Sequence, residues 1–337
     1  MTFPYYPLLS FRRLSLVLVA LVGFAATSCK DKKDDPQPPQ NIVQVAQSNP
    51  VFSILVAAIT KADLAGTLSG GDLFTVLAPT NAAFTQLPAP YNTADNIAAI
   101  TDAGQIATLR GILLYHVLPG RKPATDFPAG ASTQTTAKPA STGINDNTVY
   151  VSKNGSTITL NGVARIASDD LAASNGIIHA IDKVLLPPTR RISELVVAAA
   201  SGPAPEFTLL LAALQRPAAA ELLAAVNNPA ANLTVFAPTD AAFRALLPQL
   251  MATNLSDVPD ATLLPILRLH VVSSRAFSPD LRTGALPTLG GTVTVGMSST
   301  GLTVSGSGNT TGSATVVNPN LLAVNGVVHV IDRVLRP

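Results

Sequence analysis

Three short segments of this chain are written twice, and a duplication constrains a fold more than any other feature of a sequence. TVLAPTNAAF (Thr75 to Phe84) returns as TVFAPTDAAF (Thr234 to Phe243), and YHVLPG (Tyr115 to Gly120) returns as LHVVSS (Leu269 to Ser274). NGIIHAIDKVLLP (Asn175 to Pro187) closes the chain again as NGVVHVIDRVLRP (Asn325 to Pro337). The pairs keep their order while the offset falls from 159 through 154 to 150, so the second copy has the shorter loops. A duplicated domain follows, with copies over residues 41–187 and 188–337 of about 147 residues or slightly more, each long enough to bury its own core.

Each copy opens with helix. Phe52, Leu55, Val56 and Ile59 fall at i, i+3, i+4 and i+7, one face of an amphipathic helix, and Phe207, Leu210, Leu211 and Leu214 repeat the spacing. Short β-like runs follow at Phe74 to Ala78 and Leu233 to Ala237, each halted by a proline. Behind them, Thr80 with Asn81 and Thr239 with Asp240 offer N-cap oxygens to a new helix. Helical stretches near 97–114 and 262–269 lead into the Tyr-His segment, which its neighbours Leu113, Leu114, Val117 and Leu118 make read as core strand. Thr148 to Leu160 reads as two strands about an Asn-Gly turn, with Gly291 to Val304 as its counterpart. The closing β-branched run reads as a buried central strand. Helices first and strands afterwards predict an α+β fold rather than a βαβ array. The joint PPTRR (Pro187 to Arg191) is short and stiff, which predicts two domains in a fixed pose.

The T-V-[FL]-A-P-T-[ND]-x-A-F segment, the Tyr-His segment and the closing N-G-[VI]-[VI]-H-x-I-D-x-V-L resemble, in that order, the fasciclin-type (FAS1) adhesion domain, and both halves carry them. Leu269 departs from the pattern, standing where the family has the tyrosine that Tyr115 keeps. The resemblance implies two tandem domains, each a wedge of two β-sheets with a helical layer. It also implies cell–cell, cell–matrix or cell–surface adhesion without catalysis. Tyr115 and His116, with His270 in the second copy, match the family segment associated with adhesion to receptors.

Residues 1–28 read as an export signal: Arg12 and Arg13 precede an apolar run, Leu14 to Ser28, that is short for a membrane span. Cys29 is the only cysteine, so no internal disulfide is available to an exported chain. Ala26-Thr27-Ser28-Cys29 resembles a bacterial lipobox, which makes Cys29 the lipidated residue and the membrane contact; a stray thiol is the plain alternative. The charged, Pro-rich residues 29–40 read as a solvated tether. Without Arg12 and Arg13 the 20 basic and 20 acidic side chains cancel, and aromatics are 5% with no Trp, so no nucleic-acid partner is expected.

All four histidines, His116, His179, His270 and His329, lie in repeated segments. Within each copy the two stand 63 or 59 residues apart, with no cysteine nearby and no H-x-x-x-H spacing, so neither a metal nor a catalytic site is expected. His179 with Asp182, and His329 with Asp332, fall three apart on a strand and so face opposite sides. The imidazoles are therefore expected to satisfy buried backbone groups where strand meets helix. Asp169, Asp170 and Asn175 are read as one solvated loop lacking calcium-loop spacing. No nucleophile elbow, P-loop or H-E-x-x-H occurs, and no cofactor is expected. The function expected is a non-catalytic bacterial lipoprotein, lipid-anchored to the outer membrane at the cell surface. It would bind a protein, matrix or polysaccharide ligand. The alternative is an envelope accessory on the periplasmic face that binds a polysaccharide or small ligand.

Overall fold

The computed structural model describes residues 38–299 and 301–337. The expected signal peptide, Cys29 and most of the expected tether lie outside the described residues. In the first domain Asn41 opens α1 (Ile42–Ser48) with a capping box, exchanging bonds with Gln44. Then come α2 (Ser53–Lys61), α3 (Ala65–Ser69), β1 (Phe74–Pro79), α4 (Asn81–Phe84), α5 (Ala94–Ala98), α6 (Ala103–Tyr115), β2 (Val117–Pro119), β3 (Gly130–Thr135), β4 (Thr148–Asn154), β5 (Thr157–Leu160), β6 (Ala164–Ala173) and β7 (Gly176–Ile181). The second domain holds α7 (Ile192–Ala200), α8 (Thr208–Leu214), α9 (Ala220–Asn227), β8 (Leu233–Pro238), α10 (Asp240–Leu246), α11 (Asp260–Leu269), β9 (Val271–Val272), β10 (Gly284–Thr288), β11 (Gly291–Ser298), β12 (Gly301–Ser305), β13 (Ala314–Ala323) and β14 (Gly326–Ile331).

The strand order is β2-β1-β7-β6-β5-β4-β3 in the first domain and β10-β11-β12-β13-β14-β8-β9 in the second, the same topology written in opposite directions. The closing strands β7 and β14 run parallel to β1 and β8, and the other pairings are antiparallel. The two sheets of each wedge are arms of one seven-stranded ladder. Strand β6 joins them: Leu171 to Ala173 pair with β7, Ala164 and Arg165 pair with β5, and the register shifts between. Such bulges bend a strand and raise its twist, which turns the ladder through the wedge's edge.

Two cores result. Phe52, Leu55, Ile59, Phe84 and Leu109 of the helical layer pack on Val76, Ala78, Ile178 and Ala180. Leu77, Tyr115, Leu118, Phe127, Val149, Leu160 and Ile181 fill the wedge itself. Strands β1 and β7 lie between the two, covered on both faces, which is why they read as continuous apolar runs.

Four sequence expectations are corrected. The Tyr-His segment is the end of a helix, not a strand: Tyr115 is the last residue of α6, His116 its C-cap, and extended backbone begins at Val117. The stretch at 97–114 is two helices, because the Asp102 carboxylate caps α6 by accepting from Gln105 N at 2.7 Å. In the β4–β5 hairpin Asn154 pairs with Thr157, so the turn is Gly155-Ser156 and only Gly155 takes positive φ (61°). Asp169 and Asp170 belong to β6 rather than to one loop with Asn175.

Candidate functional site

The repeated polar side chains turn inward and hold each domain to itself. Thr80 and Thr239 cap α4 and α10 by accepting from Ala83 N (3.4 Å) and Ala242 N (3.1 Å). Asn81 and Asp240 were expected to share that task and do not. They are the first helical residues, and their side chains reach the opening helices instead: Asn81 Oδ1 accepts from Ile54 N (3.0 Å), Asp240 Oδ1 from Leu209 N (2.9 Å). Asp182 and Asp332 sit just past the closing strands and accept from Arg165 N (2.6 Å) and Thr315 N (2.7 Å), fixing the start of β6 and β13.

Asn175 and Asn325 do more than the sequence suggested. Each carboxamide accepts from the first helix, at Ile42 N or Ile192 N (2.9 Å in both), and donates to two carbonyls. Those acceptors are Leu68 and Gly70 in the first domain and Val226 and Asn228 in the second. Asn325→Ala leaves these buried groups without partners and is expected to cost about 2 kcal/mol. Urea unfolding of the variant measures it, and an unchanged midpoint would contradict the role.

Every imidazole is bonded at both nitrogens. His116 Nδ1–H donates to Ile112 O (2.8 Å) and Nε2 accepts from Leu185 N (2.8 Å). His270 repeats this with Ile266 O (2.7 Å) and Leu335 N (2.9 Å). His179 and His329 use the other tautomer: Nε2–H donates to Lys122 O or Ala276 O (2.9 Å each), and Nδ1 accepts from Asp170 N or Asn320 N (3.3 Å each). His179 thus lies beside Asp170, whose carboxylate is 3.9 Å away, and not beside Asp182. Among the described residues no group of three or more His, Cys, Asp or Glu is placed to hold a metal ion.

Desolvation lowers the pKa of His116, His270 and His329 from 6.5 to about 4. The unfolded chain therefore takes up protons first on acidification. Stability from these groups is fully present above pH 6.5 and is lost as the pH falls to the folded value near 4. Thermal melts followed by circular dichroism are expected to drop in midpoint across that window; a flat midpoint would refute the assignment.

Tyr115, His116 and His270, the residues matched to adhesion, are buried at 0%, 1% and 3% exposure and present no contact surface. The Tyr115 hydroxyl donates to Thr148 O (2.7 Å) and accepts from Asn161 Nδ2 (3.0 Å).

The most elaborate polar constellation lies where the domains meet, on residues the sequence reading did not single out. Arg275 donates to Asn232 Oδ1 and to the carbonyls of Ala323, Val324 and Gly326 at 2.8–3.1 Å. The guanidinium so fixed lies 4.3 Å over the Tyr150 ring of the first domain. Phe277 meets the same ring at 5.5 Å between centroids. Asn154 Nδ2 donates to Pro279 O (2.9 Å), Arg282 donates to Asn154 Oδ1, and Asn320 Nδ2 donates to Gly162 O (2.8 Å). Gly162 has φ +70°, and a Cβ there would stand 2.7 Å from both Asn320 Cγ and Phe277 Cδ1. Only glycine lets the faces close. Residues 39–337 accordingly form one compact unit.

The fold and these motifs define a class: a tandem pair of α+β wedge domains whose repeated polar residues are structural. The fasciclin domain family matches residues 50–187 and 205–337, and the chain belongs to that family. Protein sll1483 of Synechocystis is 39% identical over 147 residues, 44% of this chain and 73% of that protein. Transforming growth factor-beta-induced protein ig-h3 of Oryctolagus cuniculus is 30% identical over 253 residues, 74% of this chain but 32% of that protein. A solved fasciclin domain pair from the insect cell adhesion molecule fasciclin I is 19% identical with a TM-score of 0.38, covering 87% of this chain and 95% of that one.

Proposed function

We propose that this chain is a non-catalytic envelope lipoprotein that presents a locked pair of fasciclin domains at the cell surface for adhesion. One observation carries the reading: all four imidazoles are bonded at both nitrogens to backbone groups, which leaves the repeated motifs no free chemistry for a substrate. What remains for a partner is the outer surface. Family membership implies adhesion, to a protein, matrix or polysaccharide ligand. Two faces carried on one stiff unit gain avidity through effective concentration. The anchor is Cys29, lipidated at the lipobox-like Ala26-Thr27-Ser28-Cys29, with outer-membrane attachment.

Protease shaving and antibody labelling of intact cells, comparing wild type with Cys29→Ser, test this. Wild-type protein cleaved on intact cells, with the variant released to the medium, is the expected result. Protection of the wild type would overturn the surface assignment and favour the periplasm-facing accessory instead.

A further inference from the structure

Beside the domain contact, the linker and both domains enclose a groove of about 530 Å³. Small-molecule sites typically span about 300–1,000 Å³ and concentrate at domain interfaces. Val163 and Leu186 of the first domain's side, Leu195, Leu321 and Leu322 of the second, and the linker prolines line it. Val163 and Leu186 are 40% and 52% exposed, so the first domain's side keeps large aliphatic surface in water. The amides at its back are already engaged: Asn161 by Tyr150 N and the Tyr115 hydroxyl, Asn320 by Ser278 and Gly162. One charged residue lines the groove, Arg190, and no carboxylate does. Among the described residues no acidic side chain lies in ion-pair reach of Arg190.

We propose that this groove binds a single-chain carboxylate amphiphile, a free fatty acid, with its alkyl tail along the aliphatic lining and its head at the Arg190 guanidinium. The apolar lining selects an alkyl chain, and the single unpaired cation selects one negative charge. Adhesion does not require this site, and the site does not require adhesion.

Calorimetric titration of the full chain with octanoate, decanoate and dodecanoate tests it. Affinity is expected to rise roughly fourfold per added methylene. Leu186→Asp, at an exposed position that folding tolerates, is expected to weaken dodecanoate at least tenfold; Val163→Asp on the same side repeats the test from a second residue. Arg190→Gln is expected to weaken dodecanoate about tenfold while leaving dodecanol unchanged. Absence of saturable binding, wild-type affinity for dodecanoate in Leu186→Asp and Val163→Asp, or binding to phosphatidylglycerol vesicles without binding to free dodecanoate would each overturn the proposal.

Discussion

Tyr115→Ala is expected to destabilise the first domain by about 3–5 kcal/mol, the range for removing a large buried aromatic side chain. The ring fills the wedge among Leu77, Leu118, Val149 and Leu160. Its hydroxyl is held between Thr148 O and Asn161 Nδ2, and Asn161 in turn accepts from Tyr150 N at 2.9 Å. Burial pushes the phenol's pKa upward, so it stays neutral and donating at any working pH. Tyr115→Phe keeps the ring and is expected to cost about 1–3 kcal/mol, since Asn161 and Thr148 O lose a buried partner. The second copy shows the same site built without the hydroxyl: Leu269 is buried there, and a Cβ on the neighbouring Gly306 would come within 2.8 Å of its Cδ2. Loss of adhesion in Tyr115→Ala is therefore expected to follow loss of the folded domain, not loss of a contact residue. Urea unfolding beside cell attachment separates the two: a variant that keeps its midpoint while losing attachment would restore Tyr115 as a binding residue.

The parts of this protein legible in its sequence are those that occur twice. Repetition located both domains, the two buried strands of each and every histidine, because a side chain that holds a fold together must recur wherever the fold does. Local pattern failed where two readings share one composition. Leu113, Leu114, Val117 and Leu118 are apolar whether they end a helix or begin a strand, and the boundary at His116 is set by the C-cap. Asn154 is a turn former by propensity, but its pairing with Thr157 moves the turn one residue on and frees its amide for Pro279 O. The contact between the domains was invisible for the opposite reason: it is made where the copies differ. Asn320 answers to Asp170, since each donates its backbone N–H to the histidine nine residues on. Phe277 follows the carbonyl that receives His329, where Pro123 follows the one that receives His179. The strand register places Thr294 where Tyr150 stands. The first domain's copy of the docking face thus lacks the aromatic and the amide, and the second domain's copy of the receiving face lacks the ring. The contact is therefore directional: the second domain supplies the docking face and the first the receiving ring.

Arg275→Ala is expected to cost about 4 kcal/mol, because it removes four hydrogen bonds from a charged donor together with a cation–π contact. Burial lowers the guanidinium's pKa from its ordinary value while Tyr150 and Tyr115 act against that, and no carboxylate within ion-pair reach neutralises it among the described residues. Its charge is carried by the carbonyls of the β13–β14 turn, so the residue welds the second domain's closing hairpin and the domain joint at once. Arg275→Lys keeps the charge but not the planar fork and is expected to recover less than half of the loss. A double-mutant cycle separates the two roles: coupling between Arg275→Ala and Tyr150→Ala is expected near 1–2 kcal/mol, the part that belongs to the joint. Calorimetry supplies the second readout, with one cooperative transition in the wild type and two in Gly162→Val, where the added side chain meets Phe277 and Asn320. Zero coupling together with two transitions already in the wild type would mean that the domains are bound by their linker alone. The fixed pose would then be lost, and with it both the groove beside Arg190 and the presentation of two faces in a constant relation.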